Sequence, residues 1–162
     1  MRWFRHIAAG ASARWRFTPE TLGAIQHAIA KQEQGHFGEI CVAVEGRLHL
    51  AELVRGRTPG DRAREVFANL RVWDTVHRTG VLIYLLLADR AIEIVADRAV
   101  AAKVNQGEWD AICRLMQDGF RAGNYQAGAI AGIDAVAAVL RRYFPSDDRP
   151  NPDELPDRPV ML

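Results

Sequence analysis

The chain has little cysteine and shows no pattern of metal-ligating thiols. Its 162 residues include only two cysteines, Cys41 and Cys113, and both stand among apolar residues. Isolated cysteines of this kind are usually buried, reduced thiols, so we expect no disulfide. No spacing matches the known zinc-ligand patterns. A chain of this length buries enough apolar surface to fold without a covalent or metal staple, and the sequence therefore predicts one ordinary globular domain.

Long hydrophobic segments are also missing. The longest apolar run covers residues 80–88, which is nine residues, whereas a transmembrane helix needs about 20. The N-terminal segment lacks the apolar core of a signal peptide. We therefore expect a cytoplasmic protein without a transmembrane segment. Residues 1–17 combine arginines with aromatic residues, and such an arm either contacts an anionic membrane surface, which would make the protein peripheral to the membrane, or packs on its own domain.

The sequence also lacks an excess of charge of one sign. The net charge is +1, which excludes the basic body that is typical of nucleic-acid binders. The charges are unevenly spread, with a basic, aromatic arm at 1–17 and an acidic tail at 145–162 that holds five of the seven prolines. We expect a single domain over 18–144 between them. The proline-rich composition predicts that the tail is either disordered or extended over the domain.

The periodicity of apolar residues predicts a layered α/β fold. Two predicted strands cover residues 39–45 and 81–88, and residues 40–44 and 81–88 are apolar on both faces, which is typical of strands inside a covered sheet. A helical pattern lies between them, so we expect a parallel pair joined by a crossover helix. A tight turn at Asp89–Arg90 then leads into a third strand, 91–96, which should run antiparallel to the second. With two longer helices following, the sequence predicts a three-layer α/β/α sandwich with a small mixed sheet.

This topology brings several polar residues to one edge of the predicted sheet. They precede the first two strands or follow the third, and they are Glu39, Asp74, His77, Arg78, Asp97 and Arg98. Carboxylates grouped with an imidazole are plausible ligands for Ca²⁺ or Mg²⁺, and they can also orient a water. Structural roles are equally open, since Asp97 suits a helix N-cap and Asp74 a turn, while Glu39 suits an ion pair.

Four short motifs occur in order along the chain. They are Gly38-Glu39-Ile40, Thr79-Gly80-Val81-Leu82, Ala88-Asp89-Arg90 with Ile92 and Ile94, and Phe120-Arg121-Ala122-Gly123-Asn124-Tyr125. Together they resemble the TPM domain, a family named for a thylakoid lumen protein, a photosystem-II assembly protein and a nematode receptor modulator. The resemblance covers residues 20–144. It implies a three-layer α/β/α domain that is usually attached to envelope or membrane systems, with phosphatase activity in a plant member and divalent-metal binding in some members.

The sequence departs from the family pattern after the third strand, where Ala96-Asp97-Arg98-Ala99-Val100 replaces the usual Gly-Tyr-Gly-Leu-Glu. Two functional hypotheses follow from the residues and the resemblance. In the first, the protein is a divalent-metal-dependent phosphatase acting on phosphoesters. Its metal ligands would be Glu39, Asp74 and Asp97, its acid or base His77, and its phosphate-holding cations Arg78 or Arg98. In the second, it is a non-catalytic interaction module that assists a membrane- or envelope-associated partner.

Overall fold

The structure is a computed structural model, and it describes residues 16–147 and 152–162. The predicted N-terminal arm therefore lies outside the described residues, apart from Arg16 and Phe17. Within these ranges the helices are α1 (Pro19–Gln32), α2 (Leu50–Val54), α3 (Pro59–Asn69), α4 (Arg98–Ala101), α5 (Gln106–Arg121) and α6 (Tyr125–Tyr143). The strands are β1 (Glu39–Glu45), β2 (Gly80–Leu86), β3 (Ala91–Ala96) and β4 (Val160–Met161).

The four strands form one mixed sheet in the order β3-β2-β1-β4. Strand β1 runs parallel to β2, whereas β3 runs antiparallel to β2. In this register Glu39 pairs with Gly80, and Val81 pairs with Ala96. The starts of β1 and β2 therefore lie beside the end of β3, at a boundary of the sheet that we call the Glu39 edge. The strand directions predicted from the sequence are confirmed.

Both faces of the sheet are covered, which completes the predicted three-layer α/β/α sandwich. On one face Ile40, Val42 and Val44 of β1 join a core formed with residues of α1, α5 and α6. On the other face Cys41 and Ala43 join a smaller core formed with α3. This alternation explains why β1 is apolar from residue 40 to residue 44. Both cysteines are free thiols. None of the helices in the described ranges has the length and apolarity that crossing a membrane would require.

Local sequence signals place the helices that frame the sheet. Helices α1 and α3 each start with a threonine cap and a proline: Thr18 accepts the Thr21 N–H at 3.2 Å, and Thr58 accepts the Asp61 N–H at 3.1 Å. These caps satisfy backbone donors that the helix itself leaves unpaired. Helix α1 ends at Gln32. Helix α2 is five residues long, too short to give a clear periodic signal.

The loop that leads into β2 is held by close backbone packing. A Cβ added at Gly80 would lie 1.9 Å from the carbonyl oxygen of Val72, so only glycine fits there. The hydroxyl of Thr79 donates to the Phe37 carbonyl at 2.6 Å, and its N–H donates to the Thr75 hydroxyl at 3.1 Å. These contacts fix the loop against the residues that precede β1.

Residues 152–162 of the tail extend along the domain. Val160 and Met161 pair in parallel with Ala43 and Val44 of β1. Leu155 is buried in the smaller core. The sequence left open whether the tail is disordered or extended over the domain, and residues 152–162 are extended over it. The tail therefore supplies the fourth strand and carries its acidic residues onto the domain.

Candidate functional site: an acidic pocket at the Glu39 edge

A pocket of about 410 Å³ opens at the Glu39 edge, between the end of α1, the start of β1 and the tail. The acidic residues that line it are Glu33, Glu39, Asp147, Asp153 and Asp157. None of its described lining residues is a lysine or an arginine. We call this feature the acidic pocket. Its charge is a product of tertiary structure, since its members come from three separate parts of the chain.

Three of these carboxylates are close enough to bind one cation together. Glu33, Glu39 and Asp153 each offer an oxygen, and the three oxygens lie within 4.8 Å of one another. Glu39 is 1% exposed, whereas Asp153 stands at the surface. Among the described residues this is the one group of three or more potential ligands that meets such a distance limit. Carboxylate oxygens at this spacing suit a hard divalent cation.

Backbone hydrogen bonds bring the tail to the pocket. The N–H groups of Glu154 and Leu155 point at the Oε2 atom of Glu39, each at 3.4 Å. The carboxylate of Glu154 in turn accepts the N–H of Val76 at 3.0 and 3.1 Å. Asp153 is therefore positioned by contacts of the residues that follow it.

The crowding of carboxylates changes their acidity. Burial, together with a smaller contribution from the neighbouring Glu39 carboxylate, raises the pKa of Glu33 to about 9. Burial also raises the pKa of Glu39 to about 7, opposed by the hydrogen bonds from Glu154 and Leu155. The pKa of Asp157 is raised by burial and by Asp153. Glu33 thus keeps its proton near neutral pH, because it is buried and lies beside other carboxylates.

The raised pKa values predict how stability depends on pH in metal-free solution. Glu33 and Glu39 bind protons more tightly in the folded chain, so the stability they contribute is lost as pH rises toward 9. Burial lowers the pKa of His36 to about 4, so its own contribution is complete above pH 6.5. Between pH 6.5 and 9 the free energy of unfolding, measured by urea denaturation with a chelator present, should therefore fall. Glu33→Gln should flatten the decline, and an equally steep decline in that variant would contradict the assignment.

The structure places two of the predicted metal ligands outside this group. Asp74 is exposed, and its carboxylate accepts a hydrogen bond from Arg71 at 2.5 Å. Asp97 caps α4, and its Oδ1 atom accepts the N–H of Arg98 at 2.7 Å. Only Glu39 of the predicted ligands belongs to the close trio. The turn and cap roles anticipated for Asp74 and Asp97 are both present, and a metal-binding role for either remains a prediction.

The three predicted catalytic residues lie along the same sheet edge. The ring of His77 packs on Phe37 with centroids 4.5 Å apart, and its Nε2 atom is buried without a hydrogen-bond partner among the described residues. Arg78 is exposed, and its carbonyl accepts the N–H of Ala99 at 3.3 Å. The Arg98 side chain is 70% exposed. Their backbones are adjacent as the topology predicted, while their catalytic roles remain predictions.

The sequence patterns did not indicate Glu33, Asp153 or Asp157 as site residues. Glu33 is the C-cap of α1, a position with no motif of its own. The two aspartates belong to the tail, which joins the site through the pairing of β4 with β1 and through backbone hydrogen bonds to Glu39. One signal was available, namely the concentration of acidic residues after residue 145, although it does not by itself reveal where the tail lies.

Fold and pocket together define an α/β/α domain with an acidic site at one edge of its sheet. The family model for the TPM domain matches residues 15–139, so the chain belongs to the TPM domain family. The NMR structure of the BA42 protein from the psychrophilic bacterium Bizionia argentinensis is similar, with a TM-score of 0.78 and 32% sequence identity. The match covers 90% of this chain and 94% of that one. No curated protein matches the sequence.

Proposed function

We propose that the protein is a divalent-metal-dependent phosphatase that acts on phosphoesters, with Glu33, Glu39 and Asp153 as the metal ligands. The observation that carries this proposal is the approach of their three oxygens to within 4.8 Å in a pocket without described lining cations. Burial and neighbouring carboxylates raise the pKa values of Glu33 and Glu39, so protonation of these carboxyls is the alternative to a bound cation. Ca²⁺ and Mg²⁺ both prefer such oxygen ligands.

The chemistry of phosphoester hydrolysis fits this pocket only when its negative charge is compensated. A bound divalent cation would neutralise phosphate charge and lower the pKa of a coordinated water. Asp157 lines the same pocket with a raised pKa, so it suits proton transfer to or from the substrate. Arg78 and Arg98, which are exposed at the same sheet edge, are the groups we assign to phosphate oxygens, and His77 remains a second acid or base. The name of the matching family model also contains the word phosphatase.

A phosphatase assay with p-nitrophenyl phosphate tests this function. Turnover should require Mg²⁺, Ca²⁺ or Mn²⁺ and should stop with a chelator. Loss of a residue that merely supports a metal ligand commonly costs about 10–100-fold, so Glu39→Gln should cost more. Asp110→Asn, which removes an exposed carboxylate on α5, should leave the activity unchanged. Equal activity in the wild type and Glu39→Gln would refute a catalytic role for the pocket.

A second candidate function, the non-catalytic interaction module, is favoured by one observation. Trp73 is 44% exposed and Val76 is 69% exposed, in the loop that binds the tail through Glu154. Exposed apolar side chains beside a site are typical of contact surfaces. This function predicts metal binding without turnover, together with in-cell cross-linking to a membrane-associated protein that Trp73→Ala abolishes. Phosphatase turnover in the wild type would favour the enzyme over the non-catalytic interaction module.

A further inference from the structure

A second cavity, of about 400 Å³, lies at the opposite edge of the sheet. It is bounded by the ends of β2 and the turn into β3 on one side and by the junction of α5 and α6 on the other. Its polar and aromatic lining residues are Arg16, Arg90, Gln117, Phe120, Arg121 and Tyr125. Pockets of this size accommodate small organic molecules. We call this feature the arginine cavity.

The charge of this cavity is opposite to that of the acidic pocket. Three arginines line it, and none of its described lining residues is acidic. Arg121 contacts Asp118 at 2.7 Å, but both side chains are more than 60% exposed, so that pair contributes little and leaves the guanidinium available. Arg90 forms no ion pair with any described residue. The arginine cavity therefore favours an anion, and guanidinium groups bind phosphate oxygens in bidentate fashion.

Arg90 has a backbone conformation that is uncommon for a residue with a long side chain, and Arg71 and Arg78 share it between α3 and β2. Arg90 has a φ of 52° in the turn between β2 and β3, a left-handed region that glycine or asparagine adopts at lower cost. Strained residues of this kind cluster at ligand-binding positions. The turn carries an arginine there, and that arginine lines the cavity.

One wall of the cavity is aromatic and apolar. The rings of Phe120 and Tyr125 lie 5.2 Å apart, and the guanidinium of Arg16 stands 5.2 Å from the centre of the Tyr125 ring. Leu86, the last residue of β2, and Leu87, which follows it, also line the cavity, and both are buried. Aromatic side chains beside arginines are the combination that binds bases and phosphates together in nucleotide-binding grooves. An inorganic anion would leave this wall unused.

The two cavities are separate sites. Glu39 starts β1 and lines the acidic pocket, whereas Leu86 ends β2 and lines the arginine cavity. Seven residues of strand span about 23 Å, which places the cavities at opposite ends of the sheet. Arg90 and the segment Phe120–Tyr125 also belong to two of the four sequence motifs noted above, neither of which the acidic pocket uses.

From this arrangement we infer that the arginine cavity binds a small phosphorylated molecule with an aromatic body, of the class of nucleoside monophosphates. The arginines hold the phosphate, Phe120 and Tyr125 face the base, and Gln117 is placed to hydrogen-bond with its edge. This site is independent of the proposed phosphatase activity, because it shares no residue with the acidic pocket.

Calorimetric titration of the full chain with AMP, adenosine and inorganic phosphate tests the inference. AMP should bind saturably and at least tenfold more tightly than either of the other two. Arg90→Gln and Arg121→Gln should each weaken AMP binding by about tenfold. Arg114→Gln, which changes an exposed arginine on the same helix as Arg121 but outside the cavity, should bind AMP as the wild type does. Circular dichroism should show that all three variants remain folded.

Three results would overturn the inference. The first is the absence of saturable AMP binding at millimolar concentration. The second is binding that survives in both Arg90→Gln and Arg121→Gln, which would place AMP elsewhere. The third is equal affinity for AMP and inorganic phosphate, which would remove the aromatic part of the ligand class. Hydrolysis of p-nitrophenyl phosphate is a separate readout, so failure here leaves the phosphatase proposal unaffected.

Discussion

Replacing Arg62 with methionine is expected to lower the free energy of unfolding by about 3–5 kcal/mol, because it leaves a buried carboxylate without its cation. Glu45, the last residue of β1, is 3% exposed. Arg62 on α3 donates to both of its oxygens, at 2.9 and 3.1 Å. The hydroxyl of Tyr84 donates to the same carboxylate at 2.6 Å, and burial raises the pKa of that hydroxyl. Arg62 thus neutralises the charge of the buried Glu45 carboxylate.

Arg64 provides the matched control, because it lies on the same helix two residues further on. Its side chain is 71% exposed and pairs with an exposed Asp61 at 3.2 Å. Arg64→Met should therefore change the free energy of unfolding by no more than about 0.5 kcal/mol. Adding Glu45→Gln to Arg62→Met should recover part of the loss, since no buried charge then remains. A loss below about 1 kcal/mol in Arg62→Met, measured by urea denaturation, would show that Glu45 finds another partner.

Divalent cations are expected to stabilise the protein strongly through the acidic pocket. A cation that binds only the folded chain adds about 2.7 kcal/mol at 100 times its dissociation constant. For a chain of this size that corresponds to a rise in Tm of about 5–10 °C. Binding should also release protons at pH 7, because the raised pKa values of Glu33 and Glu39 show that they retain protons there. Thermal melting and pH measurement in weakly buffered solution check both effects.

Two variants distinguish a metal site in the acidic pocket from a site formed by the metal ligands that the sequence predicted. Glu33→Gln should remove most of the metal-induced rise in Tm, because it takes one oxygen from the close trio. Asp74→Asn should keep the full rise, because the Asp74 carboxylate contacts Arg71 at the surface. The reverse outcome would assign the metal to the loop before β2. No rise with Ca²⁺, Mg²⁺, Mn²⁺ or Zn²⁺ would refute a metal site in the pocket.

Much of the fold follows from local sequence patterns. Strands β1 and β3 have the predicted bounds, and β2 begins one residue earlier and ends two residues earlier than predicted. The caps at Thr18 and Thr58 are present as the sequence indicates. These features depend on apolar alternation and on side chains that pair with neighbouring backbone groups, so they are visible over a short window.

The candidate site was only partly predictable. Glu39 was identified because it starts a strand whose direction the sequence already indicated. The role of the tail was not identified, because it depends on two short backbone pairings, those of Val160 and Met161 with β1. An acidic, proline-rich composition fits both a disordered tail and an extended one. The partners of Glu39 in the close trio therefore lay beyond sequence reasoning.

The amino-acid sequence by itself determined the class of fold, the directions of the three main strands and the edge of the sheet at which polar residues gather. Apolar periodicity and connection length are local properties, and they constrain topology directly. Only the tertiary structure decided which carboxylates meet there, and that three arginines and two aromatic rings meet at the other edge. Such convergence depends on contacts between distant segments, where a shift of a few ångströms determines whether two charged groups share a ligand or are separated by solvent.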